Sequence, residues 1–164
     1  MFIELEPIFN NEGARLPFNY ELDLSKFELS GSFPFVKPVR IFGEVGNFTG
    51  IVKIKATAQF EMNALCDRCA GDIDKHMSIP VEHILVTHLN DEENDEFLLI
   101  EEMRFHLDPL VTEDILLAMP SKILCSDDCK GLCPICGKNL NSGQCSCQKP
   151  IDPRLEAFKQ LLDN

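Results

Sequence analysis

Eight cysteines carry most of the chemistry this chain has to offer: Cys66, Cys69, Cys125, Cys129, Cys133, Cys136, Cys145 and Cys147. Two residues between a pair of cysteines let both sulfurs reach one ion at the ~2.3 Å of a zinc–thiolate bond. Cys133-Pro134-Ile135-Cys136-Gly137 has that spacing, and its glycine accepts a left-handed backbone that turns nearby amides toward the anionic sulfurs. Cys66-Asp67-Arg68-Cys69 has it too, directly after a strand pattern that would aim the ligands, with Arg68 placed to offset thiolate charge. Eight ligands divide into two closed tetrahedral sites, each a zinc ion held by four cysteines. The preferred division groups Cys133, Cys136, Cys145 and Cys147 as a local C-terminal knuckle. Cys66, Cys69, Cys125 and Cys129 then form a second site that ties the strand-rich body to the tail. The single spacer of Cys145-Ser146-Cys147 is tighter than the usual two to four or so. An exchange of Cys129 with Cys145 or Cys147 between the sites therefore stays open.

Other cysteine chemistries fit less well. Iron–sulfur clusters tolerate varied spacings and remain a competitor. Disulfides belong to oxidising compartments, and residues 1–10 carry Glu4 and Glu6 where a secretory leader would be basic. A redox-active Cys66/Cys69 pair would open a helix whose dipole lowers the thiol pKa, whereas here a strand precedes and Gly71 follows. A catalytic zinc keeps a position open for water, and two sets of four cysteines leave none. His76, His83, His88 and His106 lack ligand spacing, although His83 or His88 could replace one cysteine. Phosphate-binding glycine loops, nucleophile elbows and H-E-x-x-H are absent from the sequence, so the expectation is a non-enzyme with no small-molecule substrate.

The elements that must position these ligands are mostly strands. Val52, Ile54, Ala56, Ala58, Phe60 and Met62 alternate with polar residues, the period of a half-buried strand. Val39, Ile41 and Val45 mark its partner, and Gly46-Asn47 reads as the hairpin turn. Further extended segments are expected at residues 2–9, 73–89 and 97–100. Asp108-Pro109 and Asp152-Pro153 each read as an N-cap followed by proline at the first helical position. Pro120 would stop the first helix, and the second would present Leu155, Phe158 and Leu162 on one face. The predicted class is α+β: a strand-rich body over 1–120, either an antiparallel sheet or a partly closed barrel, with short helices. A cysteine-rich zinc-binding tail over 121–164 ends in a helix.

Of the 164 residues, 45% are hydrophobic and 26% charged, a globular balance. Phenylalanine occurs 12 times and tryptophan never, which favours a packed core over a base-stacking surface. No apolar run approaches the ~18 residues a membrane span needs, and the expected location is the cytoplasm. The formal net charge is −12, with 9 basic and 22 acidic side chains in residues 1–120 against 6 and 5 in the remainder. Two zinc–tetrathiolate centres would take the chain to about −16. Such a field repels phosphate and attracts basic proteins. Seven acidic residues between Asp91 and Glu102 read as a solvated loop or as a docking surface for a basic partner.

The run Cys125-Ser-Asp-Asp-Cys129-Lys-Gly-Leu-Cys133-Pro-Ile-Cys136-Gly-Lys-Asn-Leu-Asn141, followed by Cys145-Ser-Cys147 and Ile151-Asp-Pro-Arg154-Leu, resembles the C-terminal signature of the YceD family. These are bacterial large ribosomal RNA (23S) accumulation proteins. Cys66-Asp-Arg-Cys69 resembles the family's central C-x-R-C element, and Asp108 to Pro120 its acidic-to-apolar helical stretch, so the likeness covers about residues 40–160. The resemblance implies a part in maturation or stability of the large-subunit RNA, with no enzymatic activity. Lys130, Gly131, Gly137, Asn139 and Asn141 match the motif without an assigned role.

Two modes of action follow. In the first, the tail touches ribosomal RNA directly, with Lys130 and Lys138 presented by the knuckle to phosphates. In the second, the acidic body holds a basic ribosomal protein or assembly factor, which the charge favours. A redox- or metal-responsive regulator is the alternative from another class, and it requires a labile site.

Overall fold

The computed structural model describes residues 1–29, 31–88 and 97–147. In chain order the elements are β1 (Phe2–Glu4), α1 (Glu6–Asn10), β2 (Arg15–Leu22), β3 (Val39–Phe48), β4 (Ile51–Leu65), β5 (Asp72–Val86), β6 (Phe97–Leu99), β7 (Arg104–His106), α2 (Leu107–Ala118) and a 3₁₀ turn, Leu140–Ser142. The described residues fall into two compact units. One is drawn from Met1–Ala64 with Ile73–Lys122; the other comprises Leu65–Asp72 with residues 123–147.

The first unit is the strand-rich α+β body. A five-stranded sheet has the order β2-β3-β4-β5-β6, and β1 pairs with β7 in a separate ribbon. β2, β3 and β4 run antiparallel, while β6 joins β5 in parallel at Ile84–Val86. The sheet is open, so the barrel alternative gives way to a mixed sheet with β2 and β6 at its edges. β4 buries Val52, Ile54, Ala56, Ala58, Phe60 and Met62 on one face, as its alternation requires. Val39, Ile41 and Val45 of β3, Val81 and Leu85 of β5, and Leu107, Val111 and Ile115 of α2 complete the core. Phe35 lies edge-on to Phe60 at 5.1 Å, also buried. α2 lies beside β5, where His83 Nε2 meets Asp114 Oδ2 at 2.7 Å. That pairing makes His83 a structural residue of the body.

Three local expectations are corrected. The β3–β4 turn is Thr49-Gly50, both at positive φ (54° and 87°), with Phe48 opposite Ile51. Asn47 is instead a buried strand residue: its amide donates to the Ile8 carbonyl, and its Oδ1 accepts the Gly50 N–H, both at 2.9 Å. The side chain thus closes the turn from within the strand. The span 2–9 is a three-residue strand and a short helix, because Pro7 sits in the first turn, where a missing N–H is harmless. α2 begins one residue before Asp108, whose side chain does not cap it but meets His106 Nε2 at 3.1 Å. Leu107, wholly buried, is drawn into the helix, and Pro109 still falls among the first four donors that need no partner in the helix.

No helix among the described residues is long and apolar enough to cross a membrane. The helix expected after Pro153 and residues 91–96 of the acidic segment lie outside the described residues.

Candidate metal centre

The second unit is built from two knuckles with the same hydrogen-bonded ring. In the first, Cys66 N–H donates to the Gly71 carbonyl and Ala70 N–H to the Cys66 carbonyl, both at 2.8 Å. In the second, Cys133 N–H donates to the Lys138 carbonyl at 2.8 Å and Gly137 N–H to the Cys133 carbonyl at 2.9 Å. The residue after each second cysteine must be left-handed to close the ring: Ala70 has φ 52° and Gly137 φ 71°. The expectation for Gly137 is met, and Ala70 does the same work with a side chain that resists it.

These rings aim the sulfurs. Cys66, Cys69, Cys125 and Cys129 converge in one quartet, and Cys133, Cys136, Cys145 and Cys147 in another, the sulfurs of each within 4.8 Å of one another. The preferred division of the ligands is therefore the one the fold makes, with Cys129 in the first quartet. None of the eight is joined in a disulfide. Cys66 and Cys129 sulfurs stand 3.7 Å apart, and so do those of Cys69 and Cys125. A tetrahedron with metal–sulfur bonds of ~2.3 Å has edges of about 3.8 Å. A disulfide would need about 2.05 Å. An iron–sulfur cluster interposes several irons and sulfides and spreads its cysteines beyond a single-ion edge. The spacing fits one ion per quartet.

Backbone and side-chain N–H groups point the positive ends of their dipoles at the sulfurs. Cys125 N–H points at Cys66 Sγ at 3.4 Å, Ile135 N–H at Cys133 Sγ at 3.4 Å, and Asn141 Nδ2 at Cys129 Sγ at 3.2 Å. The Cys125 amide draws the Cys66 thiol down to about 6, and the amides of Cys136 and Ile135 do the same for Cys133. Asn141 is the main cause of the lowered value at Cys129. Cys125 is pushed up to about 12 by donating toward the Cys129 sulfur, and Cys147 to about 12 by donating toward Cys136. A divalent ion in each quartet would take the place of those held protons.

The first knuckle is fastened to the later chain by Asp67 and Arg68. Asp67 exchanges hydrogen bonds with Ile123: its N–H donates to the Ile123 carbonyl at 2.9 Å, and its Oδ2 accepts the Ile123 N–H at 2.7 Å. Arg68 donates to the carbonyls of Asp127 (3.2 Å) and Cys129 (3.0 Å), and its own carbonyl accepts Leu132 N–H at 3.0 Å. Arg68 thus grips backbone that carries a ligand. Asp67 escaped the sequence reading, and Asn139 and Asn141 were matched to a motif without a role. The Asn-Leu-Asn spacing did hold a signal: Asn139 is an N-cap acceptor, taking the Asn141 N–H at 2.9 Å. Lys130 is exposed, and the Lys138 ammonium reaches the Gln144 carbonyl at 3.0 Å.

Fold and site define a class, a strand-rich α+β protein with a module of two four-cysteine quartets suited to one metal ion each. The chain belongs to the YceD family: the family model for the large ribosomal RNA subunit accumulation protein YceD matches residues 54–162. It is also similar to the uncharacterized protein YlbN of Bacillus subtilis (strain 168), 28% identical over 149 residues, covering 88% of this chain and 87% of that protein. No solved structure matches it.

Proposed function

We propose that the chain is a non-enzymatic zinc protein of the cytoplasm that supports accumulation of the large-subunit ribosomal RNA by holding a basic ribosomal protein or assembly factor. The observation that carries the metal assignment is the 3.7 Å sulfur–sulfur edge in the first quartet. Zinc suits an all-thiolate tetrahedron and undergoes no redox change there. With sulfur at every corner no position is left for a reactive water, which makes the ions structural. The family description supplies the ribosomal context.

The charge of −12, about −16 with two tetrathiolate centres, favours a basic protein over direct contact with phosphate. Elemental analysis of the purified chain is expected to give two zinc per chain. Less than one equivalent, or native sulfurs oxidised to one another, overturns the zinc assignment. Rapid zinc loss to a mild chelator would instead mark a metal-responsive regulator. Pull-down of ribosomal proteins should succeed at low salt and fail at high salt. A shift of large-subunit RNA fragments that disappears when Lys130 and Lys138 are neutralised would move the reading to direct RNA contact.

A further inference from the structure

Asn141 sits in the loop between two ligands of the second quartet, yet its side chain acts on the first. Residues 130–132 and 139–141 form the stem of a short hairpin: Leu132 bridges Asn139, and Leu140 N–H donates to the Gly131 carbonyl at 2.9 Å. The tip of that hairpin is the second knuckle, Cys133–Lys138. Cys129, of the first quartet, lies at the foot of the same stem. Asn141 Oδ1 accepts the Lys130 N–H at 2.8 Å, which fixes the amide's orientation, since an N–H can only meet the oxygen. The Nδ2 donor is thereby left facing Cys129 Sγ at 3.2 Å. Within the turn, Asn139 holds Asn141 N–H through its own carboxamide.

We infer that Asn141 is a positioning residue that couples the two quartets, so that an ion in the second tightens the hold of the first. The inference rests on the metal reading above and adds a direction of communication to it. An ion among Cys133, Cys136, Cys145 and Cys147 ties the hairpin tip to the chain after residue 144. The stem and the Asn139–Ser142 turn are then held, and the Asn141 donor is presented to Cys129 without further ordering. A thiolate that accepts an N–H bond carries less uncompensated charge, and partners of this kind change metal affinity by about 10- to 100-fold. Coupling is reciprocal, so an ion in the first quartet tightens the second by the same factor.

Cobalt(II) titration of the full chain, followed by chelator competition, tests this on four proteins: the parent, Asn141→Asp, a variant with Cys145→Ser and Cys147→Ser, and the triple variant. Asn141→Asp is near-isosteric and keeps the acceptor for Lys130 N–H while losing the donor to sulfur. In the parent background, disabling the second quartet should weaken the first about tenfold or more. In the Asn141→Asp background, where the first is already weaker, the same change should have less effect, giving a non-zero double-mutant coupling. Asn141→Asp should also move the thiolate-to-cobalt charge-transfer band of the first quartet to lower energy, because the Cys129 sulfur exchanges a stabilising N–H for a carboxylate oxygen at the same place. A merely structural role would not move that band. Equal affinity of the first quartet with and without the second, or a coupling untouched by Asn141→Asp, overturns the inference while leaving two metal sites in place. Failure of every protein to take up metal overturns the metal reading and the coupling together.

Discussion

Gly131 is expected to be the glycine of the cysteine module that tolerates alanine least. Gly131 has φ 74°, where an L-residue is strained by about 1–2 kcal/mol. The stiffer alanine returns about 0.4–1 kcal/mol by restricting the unfolded chain. A Cβ there would also lie 2.9 Å from the Arg68 carbonyl oxygen, a backbone atom that accepts Leu132 N–H and cannot swing aside. Forcing that contact apart adds about 1–3 kcal/mol, for a total near 1.5–4 kcal/mol. Gly137→Ala is the control: φ is 71°, nothing lies within 4 Å of the new Cβ, and only the net backbone strain of about 0.5–1 kcal/mol should appear. Ala70→Gly is the mirror experiment, since φ 52° at Ala70 is already strained; it should gain about 0.5–1 kcal/mol. Metal binding is coupled to folding of the module. Gly131→Ala should therefore weaken metal retention by the first quartet by about 10- to 1000-fold, at 1.4 kcal/mol per decade. Chelator competition with thermal unfolding of each variant reads the series. The predicted order is Ala70→Gly, parent, Gly137→Ala, Gly131→Ala. Equal damage at Gly131 and Gly137 would refute the close approach to Arg68.

Other predictions concern protons, the body's core and the buried Asn47 side chain. Cys125 and Cys147, pushed up to about 12, hold protons at neutral pH, so metal uptake should acidify a weakly buffered solution. Below about pH 6 Cys66 and Cys133 protonate as well, and retention measured by chelator competition should fall more steeply with each further unit. Phe35→Ala should destabilise the body by about 3–5 kcal/mol in denaturant unfolding without changing metal content. Asn47→Leu leaves the Ile8 carbonyl and Gly50 N–H without partners and should lower body stability by about 1–3 kcal/mol. Thermal unfolding of metal-loaded protein checks it.

The ligands and the best strand were legible in the sequence because both are written in short-range spacing. Cys-x-x-Cys limits which sulfurs share an ion, and the alternation from Val52 to Met62 names its own buried face. Features set by distant partners were not. Gly46-Asn47 has the composition of a turn, but the burial of Asn47 against Ile8 keeps it in the strand and moves the reversal to Thr49-Gly50. β1 and β7, three residues each, are too short to show a period and exist by pairing with each other. Asp108 announced a cap, yet burial of Leu107 set the helix start. The amide of Asn141 has meaning only beside Cys129, which the hairpin brings to it from the opposite strand.

The first quartet draws its corners from two places in the chain, with Cys69 and Cys125 separated by 56 positions. A cation bound there acts as a clasp on a long loop that contains β5, β6, β7 and α2. Closing a loop of that length removes about 4 kcal/mol of chain entropy from the unfolded state on the cross-link relation. During synthesis that clasp cannot shut until Cys125 and Cys129 have left the exit tunnel, so metal supply would act late, on a chain whose sheet strands have already emerged.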